Sequence, residues 1–274
     1  MIVKTQLTIV VALFAALTGF AHAEFTDLDE WTLSVHDAGF SYTLDGTEHT
    51  VTLTADDNAI PSTDDISFAS SDGVSTGYVF DPASDFSVAI DFDLSFDHTP
   101  QIQGGLGLGF GIGTDASGEN SAGAGLFTNN GVSLEFNAAA RAGGGGDTPY
   151  DVEIDFSTFD ASALSGSLFV AYDADTGTVT AGVSDSQGAI GPARAYAFLG
   201  IQNEWDAEDD DPLGAAFFLR SDDLDPWQGG GTGEAVFSNV RILHGSAQPV
   251  PEPTAISLLL VGCVIGFARR TRRR

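Results

Sequence analysis

The chain is 274 residues long and carries 39 acidic side chains against ten basic ones, a formal net charge of −29 at pH 7. A surface this acidic repels nucleic acid and anionic lipid and excludes both as partners of the folded part. The one cysteine, Cys263, falls near the C-terminus, so the rest of the chain has no disulfide, thiol nucleophile or thiolate metal site.

The first element in chain order is an export signal. Lys4 supplies a weak positive start, Leu7 to Phe20 an apolar run, and Ala21-His22-Ala23 a small-x-small cleavage site. This pattern predicts a signal peptide over 1–23 and a mature start at Glu24. The 226 residues from Glu24 to Pro249 suffice for one all-β domain with its own core. They hold 38 acids against four arginines (Arg141, Arg194, Arg220 and Arg241) and no lysine, a balance suited to salty surroundings that screen self-repulsion.

Period-two alternation dominates this domain. Phe86, Val88, Ile90, Phe92, Leu94 and Phe96 alternate with small or acidic residues, which predicts one strand with a buried and a wet face. Leu106, Leu108, Phe110 and Ile112 alternate with glycines in the same way. That strict alternation is no dinucleotide fingerprint, which needs a helix after its glycines; it predicts a strand packed closely across the sheets. Further strands are expected at 31–36, 50–54, 77–80, 132–136, 152–156, 168–172, 178–183, 196–201, 215–219 and 235–242. Turn signals separate them, among them Asp45-Gly46, Asp72-Gly73, Asn130-Gly131 and Asp173-Ala174-Asp175-Thr176-Gly177. About a dozen short strands and no amphipathic helix predict an antiparallel β-sandwich or jelly roll.

Three constellations are candidate sites. Asp151, Glu153 and Asp155 alternate with Val152, Ile154 and Phe156, so the carboxylates share the wet face of a half-buried strand. Glu204, Asp206, Asp209 and Asp211 crowd one loop with hard oxygen ligands of the kind calcium takes; no other cofactor motif is present. Trp205 and Trp227 lie in loops, where an exposed indole would serve as a sugar-stacking platform and a buried one would be core. His36, His49, His98 and His244 have no metal-ligand spacing.

The chain closes on Pro251-Glu252-Pro253, an apolar stretch from Thr254 to Ala268, and an arginine cluster beginning Arg269-Arg270. At about 1.5 Å per residue the apolar stretch reaches roughly 22 Å, short of a hydrocarbon core of about 30 Å unless the arginines snorkel. The cationic end stays cytoplasmic, which puts the acidic domain across the membrane. This order of parts resembles the PEP-CTERM sorting signal. The resemblance implies export through the Sec machinery, transient anchoring in the inner membrane by the C-terminal helix, and handling by an exosortase near 251–253. It also implies a place at the cell surface or in an extracellular matrix rich in exopolysaccharide.

Two further resemblances concern the domain. The stretch Gly166–Thr180 and the closing stretch Ala235–Ile242 resemble a hairpin and the last strand of concanavalin A-like lectin and glucanase domains. Glu153-Ile154-Asp155-Phe156 resembles the core of the laminarinase-like glycosidase motif, whose second glutamate is replaced here by Ser157 or Thr158. Without it the acid/base partner of a retaining mechanism is missing. The expected function is therefore a non-catalytic, structural or carbohydrate-binding matrix component; the alternative is a secreted polysaccharide hydrolase or lyase of concanavalin A-like fold.

Overall fold

The structure, a computed structural model, describes residues 25–56, 64–73, 76–96, 106–114, 118–129, 133–143, 145–155, 163–185, 194–205, 211–221 and 231–250. The expected signal peptide and the segment 251–274 lie outside them. Among the described residues no helix is long and apolar enough to cross a membrane.

Two seven-stranded antiparallel sheets face each other. The first runs in the order β1 (Thr32–His36), β4 (Asp64–Ala69), β14 (Gly214–Ser221), β7 (Gly107–Gly113), β8 (Ser121–Asn129), β9 (Ser133–Ala142), β10 (Gly145–Asp155). The second runs β13 (Arg194–Phe198), β12 (Thr178–Asp185), β11 (Ala163–Asp173), β6 (Phe86–Phe96), β15 (Thr232–His244), β3 (Thr50–Asp56), β2 (Phe40–Asp45). β12 lies over β8, β11 over β7 and β3 over β14. This is the antiparallel sandwich that the alternation predicted, and neighbours distant in sequence, such as β6 beside β15, give it jelly-roll crossings.

Alternation explains the packing. The six large apolar residues of β6 are buried, as are Leu108, Phe110 and Ile112 of β7 and Ala215, Phe217 and Leu219 of β14. Phe217 is the aromatic hub, with ring centroids 4.4 Å from Phe237, 5.4 Å from Trp31 and 5.7 Å from Phe68. Burying rings of this size, at about 25 cal/mol per Å² of apolar surface, is the main stabilising contribution in a chain without disulfides.

Both ends of the domain are tied to one place. Phe25 is fully buried, its ring 5.2 Å from Phe80 and 5.5 Å from Trp31, whose Nε1 donates to the Phe25 carbonyl at 3.0 Å. Phe80 belongs to β5 (Tyr78–Phe80), which pairs with β16 (Ala247–Pro249) in a separate two-stranded ladder. The Val250 amide extends it, donating to the Gly77 carbonyl at 2.8 Å. Ordered backbone pairing thus continues to the residue before Pro251.

The hairpin expected at 166–180 is present as β11–β12, with Asp173 opposite Thr178 and Gly177 left-handed at φ 63°. Asp173 accepts from the Thr176 amide at 3.0 Å, so the Asp173–Gly177 stretch is a turn. In the closing strand β15 the register shifts between Ser238 and Arg241, and Asn239 takes φ 50°. The bulge puts Val240 inward after Phe237 and turns Asn239 and Arg241 out.

Candidate functional site: a glycine-floored cleft

Residues that alternate with the core face outward, and on the first sheet they line an open cleft of about 640 Å³. It crosses six strands, from Ser34 of β1 to Arg141 of β9. At about 4.8 Å between strands, that is a trough about 24 Å across.

Glycine makes the trough. In β7 the residues alternating with Leu108, Phe110 and Ile112 are Gly107, Gly109, Gly111 and Gly113; Gly123 and Gly125 occupy the same face of β8. Gly111 and Gly123 stand directly opposite each other. A Cβ on Gly111 would lie 2.8 Å from the Ala122 carbonyl oxygen, and one on Gly123 would lie 2.6 Å from that of Phe110. Real Cβ atoms essentially never come within 3.0 Å of such a backbone atom. Strands β7 and β8 therefore curl toward their outer face, and only glycine fits the inside of the curve. The sequence expectation of close packing across the sheets is corrected: the close approach is on the cleft side, away from the second sheet.

Two phenyl rings occupy space that the glycines vacate. Phe127 of β8 stands opposite Gly107, and Phe218 of β14 opposite Gly109. A Cβ on Gly107 would run into three carbons of the Phe127 ring, and one on Gly109 into Cζ and Cε1 of Phe218. Both rings thus rest on backbone and line the cleft, half-buried, with centroids 6.4 Å apart and planes tilted by 42°. Polar groups surround them. Ser34 and Ser67 share a hydrogen bond at 2.8 Å between their Oγ atoms; Glu135 and Asn137 line the β9 side; Arg220 stands opposite Asp65; Arg141 is exposed at one end. Flat apolar faces among hydrogen-bonding groups are suited to holding a ligand with both C–H faces and hydroxyl edges.

The sites expected from sequence fare differently. Trp205 is a correction: at 5 % exposure it closes a short 3-10 turn (Ile201–Glu204) and joins the core, so its indole is no platform. Trp227 lies outside the described residues, as do Asp206 and Asp209 of the acidic loop. Of that set Glu204 is exposed at the end of the turn, and Asp211 lines the cleft. Glu153 holds the register position opposite Glu135, with Val152 opposite Phe136 and Ile154 opposite Leu134. The sorting residues Ala21, Ala23, Pro251, Glu252, Pro253, Arg269 and Arg270 lie outside the described residues. Phe127 and Phe218, by contrast, are cleft residues that emerge from the strand pairing.

Two other polar clusters are brought together by the fold. His49 reaches Asp27 at 3.0 Å and Asp29 at 3.8 Å, a proximity that its sequence spacing conceals. Asp27 also caps the short turn Leu28–Glu30 by accepting from the Asp29 amide at 3.0 Å. On the outer face of the second sheet, Arg241 bonds Asp91 at 2.7 Å, Asn239 donates to it at 2.7 Å, and Ser167 donates to the same carboxylate. Burial raises the Asp91 carboxyl, but the hydrogen bonds from Ser167, Asn239 and Arg241, with the Arg241 charge, outweigh it and hold the group below its ordinary 3.8.

No protein-family model matches the chain, and no curated protein matches it. Among solved structures, a legume lectin-like domain from Entamoeba histolytica is similar at 8 % identity, over 77 % of this chain and 91 % of that one, with a TM-score of 0.46. A family 7 alginate lyase in complex with its product is 15 % identical over 81 % of this chain and 98 % of that one, TM-score 0.46. A mixed linkage glucan GH16 protein of Bacteroides ovatus is 12 % identical over 78 % and 94 %, TM-score 0.44.

Proposed function

We propose that this chain is an exported, non-catalytic β-sandwich protein that holds polysaccharide in the cleft of its first sheet. An exosortase sorts it to the cell surface or extracellular matrix, where it serves as a matrix component. One observation carries the binding role: an open trough about 24 Å across, with a backbone floor, two outward phenyl rings and a polar rim. Its length suits an extended polymer better than a compact metabolite. The sorting role rests on the order of parts at the C-terminus. The β5–β16 ladder is compatible with it, since backbone pairing reaches Val250, the last residue before that motif in sequence.

A polysaccharide-array screen of the full-length protein, with and without calcium, tests the binding role. Retention of at least one glycan is expected; silence in both conditions refutes binding and leaves a purely structural role. Mass spectrometry of material from the native host tests the sorting role. A mature protein still carrying 254–274 would refute exosortase processing.

The second reading, a hydrolase or lyase, draws support from the register of Glu153 opposite the cleft residue Glu135. Opposite positions in an antiparallel ladder are close neighbours, the arrangement a two-carboxylate mechanism requires. Under the first reading the protein releases no reducing ends or unsaturated sugars from any glycan it binds. Turnover abolished by both Glu135→Gln and Glu153→Gln would establish the second.

A further inference from the structure

Resting on the reading of the cleft as a glycan site, we infer that its ligand is an uncharged polysaccharide, held by stacking on Phe127 and Phe218 rather than by ionic contacts. Among the described residues, the charged side chains lining the cleft are Asp65, Glu135 and Asp211 against Arg141 and Arg220, so acids outnumber bases there. Arg220 stands opposite Asp65 in the β14–β4 ladder, next to a charge of opposite sign. The chain as a whole, these groups included, carries a net −29. A polyanion would approach through a repulsive field and find no surplus of positive charge at the floor. An uncharged chain meets no such barrier.

The floor supplies what an uncharged chain needs. Gly107 and Gly109 let the two rings rest on backbone, so each ring turns its remaining surface to the trough. The C–H faces of pyranose rings can pack there while their hydroxyl edges reach Ser34, Ser67 and Asn137. The close approach of each ring to the Gly107 or Gly109 backbone limits how far it can turn before binding. Little side-chain entropy is then lost on association.

The test uses full-length protein in mild detergent, with barley β-glucan and xyloglucan as uncharged probes and alginate and polygalacturonate as anionic ones. Binding is measured calorimetrically at low and high sodium chloride, across a range where the screening length falls from about 14 Å to about 4 Å. The expected result is binding of an uncharged probe with a Kd that changes less than about twofold across that range. Phe127→Ala and Phe218→Ala should each weaken binding at least about tenfold, and Phe127→Tyr should restore it. An unchanged circular dichroism spectrum separates this loss from unfolding. Tighter binding of an anionic probe, or indifference to both ring variants, overturns the inference and leaves the cleft reading standing. Silence toward all four probes overturns both.

Discussion

Gly111→Ala, compared with Gly214→Ala, tests the claim that the cleft floor is curved so tightly that only glycine fits. Both glycines face the cleft, on the adjacent strands β7 and β14. At Gly111 a new Cβ would sit 2.8 Å from the Ala122 carbonyl oxygen, 3.1 Å from the Gly123 Cα and 3.3 Å from the Ala122 carbonyl carbon. All three are backbone atoms of β8, which is hydrogen-bonded on both sides and cannot swing aside as a side chain does. Restoring ordinary contact requires the strands to part by about half an ångström, an overpacking cost of about 1–3 kcal/mol. Reduced freedom of the unfolded chain returns about 0.4–1 kcal/mol, leaving a net loss of about 1–2 kcal/mol. In a domain of this size that lowers Tm by about 2–8 °C. At Gly214 the nearest atom is Ser70 Oγ at 3.8 Å, so the same substitution should be neutral or stabilising by up to about 1 kcal/mol. Thermal and urea melts followed by circular dichroism measure both. If Gly111→Ala melts with Gly214→Ala, the floor is not tightly curved and the physical basis of the cleft is wrong.

Three further outcomes are expected. The Asp91 carboxyl titrates below its unfolded value, so its stabilising contribution is present above about pH 4 and lost as pH falls through its folded pKa. Asp91→Asn should therefore flatten the acid limb of Tm against pH while lowering Tm at neutral pH, and an unchanged acid limb would refute the assignment. Phe25→Ala removes a fully buried ring joining the N-terminal end of the described domain to β5, and should cost about 3–5 kcal/mol and about 10 °C or more in a melt. Burial, followed by the charges of Asp173, Asp85 and Asp81, raises the Tyr172 hydroxyl above 10.0. Its stability contribution is full below pH 10 and lost as pH rises through the folded pKa, so in an ultraviolet titration Tyr172→Phe should delete one phenol that ionises above 10.

Much of the sandwich is legible in the sequence wherever large and small residues alternate. β6 is bounded at Phe86 and Phe96 as its pattern indicates, and the β11–β12 hairpin follows from its turn chemistry. Strands with weak contrast are not legible. β2 (Phe40–Asp45) is an edge strand exposed at every residue but the first; β4 opens on two aspartates; β8 is mostly small residues until Leu126. The candidate site was half visible. Alternation puts one face of β7 in glycine, but a glycine pattern does not say which neighbour comes close. Phe217-Phe218 and Leu126-Phe127 carry the signal for the two cleft rings. Two bulky apolar neighbours in one strand must face opposite sides, so one of each pair lies on the non-core face. Trp205 lies in a loop but is core, because a 3-10 turn folds it inward.

The central claim, that the outer face of the first sheet holds a glycan chain, is tested most directly by a crystal structure of the protein with a bound oligosaccharide. Sugar rings over Phe127 and Phe218, crossing the glycines of β7 and β8, are the expected result. Sugar bound on the opposite sheet, around Asp91 and Arg241, would contradict it.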